Sequence, residues 1–328
     1  VVRQLLGRLR LPLQIGFVLL LSAVVLRTAA QHWEELRSVQ SDLNPPWVTA
    51  GAILTMVFTF GLSLSWQWLV RRLSPPGADL SSLGLHHAFL TSFLTRYLPA
   101  GTFVNIGGKV ELLKRQGTSR SVGLESVLYE LVFLMGGGLF LGWVAFLVEP
   151  APQLLGEWQA LYSLLMIGVP VAWVMCFSVP DRVLLWARAI LKRQVPAITS
   201  ARLSWLSRFV AFILYTAVNM IQGVAMLCML LAVYPTMPLD TGIMLHVIAA
   251  YPLGRLVGQM VPFAPGGLGV RELTFAFLVA PWLPLRPVLI AATLMRLISI
   301  LVEVLAASVV LGLGRRRDAR LHQGNSGS

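Results

Sequence analysis

The sequence predicts an all-α polytopic integral membrane protein, with about six full spans and two helical hairpins broken by proline and glycine. Three observations carry this prediction. Hydrophobic residues make up 56% of the 328 positions and charged residues only 12%, against roughly 25% charged in a soluble domain. The apolar residues gather in runs long enough to cross a hydrocarbon core, which needs about 20 helical residues. The basic residues fall mainly between those runs, so the net charge of +12 reads as membrane orientation and not as affinity for nucleic acid.

The first run follows Arg3, Arg8 and Arg10. It exceeds the roughly 7–15 residues of a signal-peptide core, so residues 11–30 are expected to be a retained span. Further spans are expected at 47–69, 121–148, 159–179, 205–233 and 288–313. Residues 1–320 then form a single transmembrane domain, and 321–328, which lack core-forming residues, form a disordered tail. Cys176 and Cys228 lie inside apolar runs without a Cys-x-x-Cys pattern, so they are packing residues and not metal ligands. Trp33, Trp47, Trp158, Trp205 and Trp282 sit where interfacial belts are expected.

Two segments, 84–116 and 242–272, have a different form: an apolar half, a Pro/Gly break, then a short charged half. A broken backbone cannot face lipid, because unpaired N–H and C=O groups in hydrocarbon cost several kcal/mol each. Such a segment must be buried in protein or line a wet cavity. If 84–116 enters and leaves on the inner side, the inner loops collect 19 of the 26 basic residues, among them Lys109, Lys114, Arg115 and all six of the 180–208 loop. A single crossing would put that loop outside. The charge bias therefore predicts a re-entrant hairpin, with the N- and C-termini both inside.

Three complete spans separate the two broken segments, so they are expected to face opposite sides. Their sequences also correspond: Arg96-Tyr-Leu-Pro-Ala-Gly, then Gly107-Gly-Lys-Val-Glu-Leu, against Gln259-Met-Val-Pro-Phe-Ala, then Gly267-Leu-Gly-Val-Arg-Glu-Leu. Likeness with opposite orientation predicts an inverted repeat, a device that builds midplane sites from interrupted helices.

A charge in mid-span costs about 2.5–3.5 kcal/mol on insertion scales, so it calls for a partner or a watery cavity. Eight charges qualify: Arg96, Glu125, Glu130, Arg255, Arg271, Glu272, Arg296 and Glu303. Arg296 and Glu303 are seven residues apart, on one helix face but two turns from each other, and must find partners elsewhere. Glu130 is expected to pair with Arg255 or Arg296, and the sequence does not choose between them. Structural ion pairs fixing helix packing are the competing reading of all eight.

Gly266, Gly267 and Gly269 stand ahead of a charged helix start, where glycines admit a ligand and free N–H groups attract an anion. Arg96, Arg255 and Arg271 are the expected anion donors. The same glycines would also serve a plain tight turn. Gly136, Gly137, Gly138 and Gly142 are expected to pack against neighbouring helices. Asn219 and Gln222 read as helix-bonding residues. The 180–204 loop carries an apolar stripe suited to an anionic leaflet. His86 and His87 lack the spacing of a metal-binding helix, and neither a Walker loop nor a Gly-x-Ser-x-Gly elbow is present. No cofactor is called for, and no enzyme activity is expected.

Pro262-Phe-Ala-Pro-Gly-Gly-Leu-Gly-Val-Arg-Glu, with Arg96-Tyr-Leu-Pro-Ala-Gly and Leu-Lys-Arg-Gln-Gly-Thr-Ser at 113–119, resembles the lysylphosphatidylglycerol synthase transmembrane-region family, over essentially the whole chain. The resemblance implies lipid translocation between leaflets of a bacterial cytoplasmic membrane. The substrate would be an anionic phospholipid, a glycolipid or a polyprenyl-linked lipid. In bifunctional members a soluble domain makes the lipid and the membrane domain moves it. This chain ends shortly after Arg320, so it is expected to lack the synthase half. Glu130, Glu272, Arg296 and Glu303 would then form switching ion pairs. A membrane-embedded lipid-modifying enzyme, or a non-catalytic partner of a glycosyltransferase, is the alternative. Lys109-Val-Glu111 in the first segment, against adjacent Arg271-Glu272 in the second, argues that the two do not act symmetrically.

Overall fold

The computed structural model describes residues 43–97, 101–148, 203–261, 265–267 and 269–325, with side chains as far as residue 312. The described residues contain eight α-helices and no strand: α1 Pro45–Leu73, α2 Ser82–Leu94, α3 Gly101–Arg115, α4 Arg120–Val148, α5 Trp205–Val233, α6 Thr241–Met260, α7 Val270–Val279 and α8 Leu285–Asn325. The expected spans 47–69, 121–148, 205–233 and 288–313 lie within α1, α4, α5 and α8. The expected spans 11–30 and 159–179 fall outside the described residues, as do the amphipathic 180–204 loop up to residue 202, Trp33, Trp158 and Cys176.

Helix starts follow local chemistry. Ser81, Ser204 and Asp240 each accept a hydrogen bond from a backbone N–H of the turn that follows, satisfying donors that have no partner within the helix. Pro45 occupies the first turn of α1 and Arg71 and Arg72 its last, the positions favoured by a fixed φ and by the helix dipole.

The two broken segments differ in build. In the first, α2 runs into a short 3-10 turn, Thr95–Tyr97, and α3 resumes at Gly101. In the second, the apolar half is no short arm. Helix α6 is 20 residues long, about 30 Å at 1.5 Å per residue. It is one of five described helices long and apolar enough to cross a membrane. Only α7, with 10 residues, is short. A 3-10 turn at Pro265–Gly267 lies between them.

Pro252 sits inside α6, where it removes the hydrogen bond to the carbonyl four residues earlier. That carbonyl belongs to Ile248, and α5 meets it with a glycine: a methyl added at Gly223 would come within 2.0 Å of the Ile248 oxygen. The orphaned carbonyl is thus covered by the close approach of a neighbouring backbone, an arrangement suited to Cα–H···O contact. The α4 glycines serve the same closeness, with Gly137 against Thr216 of α5, and Gly138 and Gly142 against Leu256 and Leu253 of α6.

Two apolar cores result. One joins Trp66, Phe89, Phe133 and Tyr215 across α1, α2, α4 and α5. The other joins Met226, Met229, Tyr251 and Phe275 across α5, α6 and α7. Leu64, Phe103, Leu206, Phe277 and Leu301 point outward and are exposed, as a lipid-facing surface requires. The molecule is an all-α polytopic membrane protein.

Gly223→Ala should destabilise the detergent-solubilised protein by roughly 1–3 kcal/mol, because the atom it strikes is backbone and cannot rotate away. Gly312→Ala, in open space, is the control. Thermal unfolding followed by intrinsic fluorescence should show a lower midpoint for the first variant and no loss for the second.

Candidate functional site

Charge in an apolar interior needs a counter-charge, and the structure supplies one buried and two largely buried ion pairs. Arg96 donates to Glu303 Oε1 at 2.5 Å. Tyr97 completes a triangle, donating its hydroxyl to Glu303 Oε2 at 2.9 Å and accepting from Arg96 Nη2 at 2.8 Å. Arg296 donates to Glu272 Oε1 at 2.6 Å. Glu272 Oε2 accepts the Gly269 N–H at 2.9 Å, so this one carboxylate both caps α7 and holds α8. The third pair is Lys109 with Glu130, at 2.8 and 2.6 Å to the two carboxylate oxygens.

This last pair corrects the expectation that Glu130 would pair with Arg255 or Arg296. Lys109 also does not sit among the inner-loop charges, because its side chain is 2% exposed. Its ammonium lies 4.1 Å from the centre of the Phe89 ring and 5.3 Å from that of Trp66, a cation–π setting suited to a desolvated lysine. Glu111, two residues on, falls on another helix face and is 47% exposed, facing Arg115 and Arg120. The Lys-Val-Glu of the first segment therefore splits between interior and water.

Arg296 and Glu303 behave as their spacing requires: each reaches a different broken segment. Glu303 binds the turn after α2 and Arg296 binds the start of α7. The two turns also meet. A methyl at Gly266 would fall 2.9 Å from the Tyr97 ring and 3.4 Å from Arg296 Nη2, and Gly266 has a φ of 59°, a left-handed conformation that favours glycine. Gly267, with φ 71°, crosses α6 at Gly258, where added methyls would come within about 3 Å of backbone. Gly269, with φ 81°, is the N-cap of α7 and has open space around it.

Arg255 and Arg271 stand apart from these pairs. Both are buried, at 2% and 4% exposure. Among the described residues neither has a carboxylate within ion-pairing distance. Arg255 donates Nη2 to Asn219 Oδ1 at 3.1 Å and lies over the Phe58 ring. Its Nε and Nη1 have no hydrogen-bond partner. Arg271 donates to the Tyr251 hydroxyl and leaves Nε unpartnered. Asn219 donates its own Nδ2 to the Leu134 carbonyl at 2.9 Å, so the helix-bonding role read from the sequence holds, with an arginine contact added.

Many of these groups converge on one cavity. Arg96, Lys109, Arg255 and Arg271 line it with Asn105, Gln259, Glu130, Gly258, Gly266 and Gly267, against an apolar wall of Leu62, Phe93, Ile106, Val127, Leu131 and Leu134. Its volume is about 50 Å³, space for a few water molecules at the roughly 10–15 Å³ each requires. Of the sequence-predicted anion residues, Arg96, Arg255, Arg271, Gly266 and Gly267 line it. Glu272, Arg296, Glu303 and Gly269 brace its walls. Lys109, Tyr97 and Tyr251 were missed. The available signal for Lys109 was its position eight residues into a helix that starts at Gly101, away from the charged end at Lys114 and Arg115.

Removing one partner of a buried pair costs about 3–5 kcal/mol. Lys109→Met should therefore lower the thermal midpoint in detergent sharply, and adding Glu130→Gln should restore most of it. A double variant no better than the single one would show that the pair is not what Lys109 contributes.

A search of curated proteins finds no match. The family model for the lysylphosphatidylglycerol synthase transmembrane region matches residues 13–307, which takes in both broken segments, all three ion pairs and both unneutralised arginines. The chain belongs to the lysylphosphatidylglycerol synthase transmembrane-region family.

Proposed function

We propose that this protein moves an anionic lipid headgroup between leaflets of a bacterial cytoplasmic membrane, with the acyl chains remaining in the bilayer and both termini on the inner side. The observation that carries this reading is the cavity: three buried cations, the largely buried Arg96 and one carboxylate at the meeting point of two helix breaks. Such a site attracts a negative group strongly, because the surrounding medium screens its charge poorly.

The supporting geometry is the way the cavity is closed. At about 50 Å³ the cavity must widen to take a headgroup. The elements that close it are the two turns and the ion pairs that tie them to α8. Breaking Arg96–Glu303 frees the first turn, and breaking Arg296–Glu272 frees the second. An inverted repeat, with the two broken segments opening to opposite sides, would make these alternative gates of one site. A headgroup phosphate would draw on Arg255 and Arg271, while Lys109 and Glu130 hold the wall between α3 and α4. A lipid-modifying enzyme or a glycosyltransferase would be the natural supplier or consumer of such a cargo.

Liposomes containing the full chain and a fluorescent anionic phospholipid should show leaflet exchange, read by reduction of outer-leaflet probe. Arg271→Ala should slow it by about 10–100-fold, the range for losing a charge-assisted hydrogen bond of about 1.5–3 kcal/mol. An unchanged rate in correctly folded Arg271→Ala protein would remove the cavity from the transport path.

A further inference from the structure

Among the described residues the interior carries more positive charge than its carboxylates cancel. Around the cavity and its walls stand five cations, Arg96, Lys109, Arg255, Arg271 and Arg296, and three carboxylates, Glu130, Glu272 and Glu303, each already committed to one cation. Glu125 and Arg208, buried near the starts of α4 and α5, balance in count and do not line the cavity. The other ten of the 14 acidic residues lie in stretches that the sequence assigns to loops or helix ends. The excess is two positive charges, and both, Arg255 and Arg271, line the cavity.

We propose that the group received here is a dianion, a phosphomonoester or a pyrophosphate esterified at both ends, in preference to the singly charged phosphodiester of ordinary membrane lipids. For a lipid headgroup this rests on the transport reading above. The physical reason is that a monoanion leaves one buried guanidinium uncompensated, whereas a dianion leaves none.

Donor geometry agrees with the charge count. Arg255 offers Nε and Nη1 and Arg271 offers Nε, all three buried and without a hydrogen-bond partner. A phosphodiester presents two non-bridging oxygens, and a monoester three. The two arginines are held close together. Gly254 and Gly258 lie one turn apart on the α6 face that receives Arg271: an added methyl at Gly258 would fall 3.2 Å from the Arg271 Cβ, and one at Gly254 would fall 2.8 Å from the Arg271 carbonyl oxygen. Arg255 follows Gly254 directly on α6, and Arg271 reaches the same cavity from α7, so two packed helices present one guanidinium each to it.

The test is equilibrium binding to the purified full chain in neutral detergent at about pH 8, where a phosphate ester is doubly charged because its second pKa is near 6. Four probes are compared: dioctanoyl phosphatidic acid, dioctanoyl phosphatidylglycerol, farnesyl phosphate and inorganic phosphate. Phosphatidic acid and farnesyl phosphate should bind at least about tenfold more tightly than phosphatidylglycerol. Arg255→Gln and Arg271→Gln should each bring that ratio close to one, and Arg255→Lys, which keeps the charge, should retain most of it.

Equal affinity of the unaltered protein for phosphatidic acid and phosphatidylglycerol overturns the proposal whether or not the variants fold. A preference that survives in both folded glutamine variants also overturns it. Inorganic phosphate binding as tightly as farnesyl phosphate would support the dianion site while assigning it to a free phosphate, against the transport reading. Absence of leaflet exchange for every lipid, with the binding ratio intact, would likewise separate the two.

Discussion

The structure depends on α8 carrying opposite charges two turns apart. Arg296 and Glu303 are on one helix face, yet each is bonded to a different broken segment. A largely buried charge is costly to separate from its counter-charge, so these bonds fix where the two turns lie relative to a continuous rigid rod. Seven residues at 1.5 Å set the two anchors about 10 Å apart along that rod. The turns themselves touch through Tyr97 and Gly266. Neither segment can shift along α8 without disturbing its bond, and neither can do so alone without disturbing the other turn.

Around that frame, close backbone approach replaces side-chain bulk. The carbonyl that Pro252 orphans lies against Gly223, and the second turn crosses α6 at Gly258. In water such defects would be solvated. In hydrocarbon they must be answered from within the protein, and glycine is the residue that allows a neighbouring backbone near enough. The same substitution pattern that looks like weak helix-forming sequence is what permits broken and kinked helices to pack without exposing polar backbone.

Much of this was legible in the sequence. The spans at α1, α4, α5 and α8 follow from apolar length, the two breaks from their Pro/Gly clusters, and the need for remote partners at Arg296 and Glu303 from their spacing alone. What was not legible depended on helix phase. Lys109 stands in a Gly-Gly-Lys-Val-Glu string that reads as a charged loop end, and only a helix beginning at Gly101 turns the lysine inward and Glu111 outward. Once that phase is unknown, Glu130 has no reason to prefer a lysine 21 residues upstream over an arginine from a distant span. The length of α6 was hidden for a related reason: Pro252, Gly254 and Gly258 look like the beginning of a break, but the helix runs through them because α5 and α7 shield the weakened backbone.

The amide of Asn219 has a consequence of its own. Its nitrogen must face the Leu134 carbonyl, which can only accept, so its oxygen must face Arg255. The arginine is thereby tethered at one corner by a neutral dipole that orients the guanidinium without spending its charge. Conformational freedom that a long side chain would surrender on capturing a ligand has largely been surrendered already. A carboxylate in the same place would hold Arg255 more firmly but would occupy the charge it needs to offer. An amide leaves it both preorganised and available.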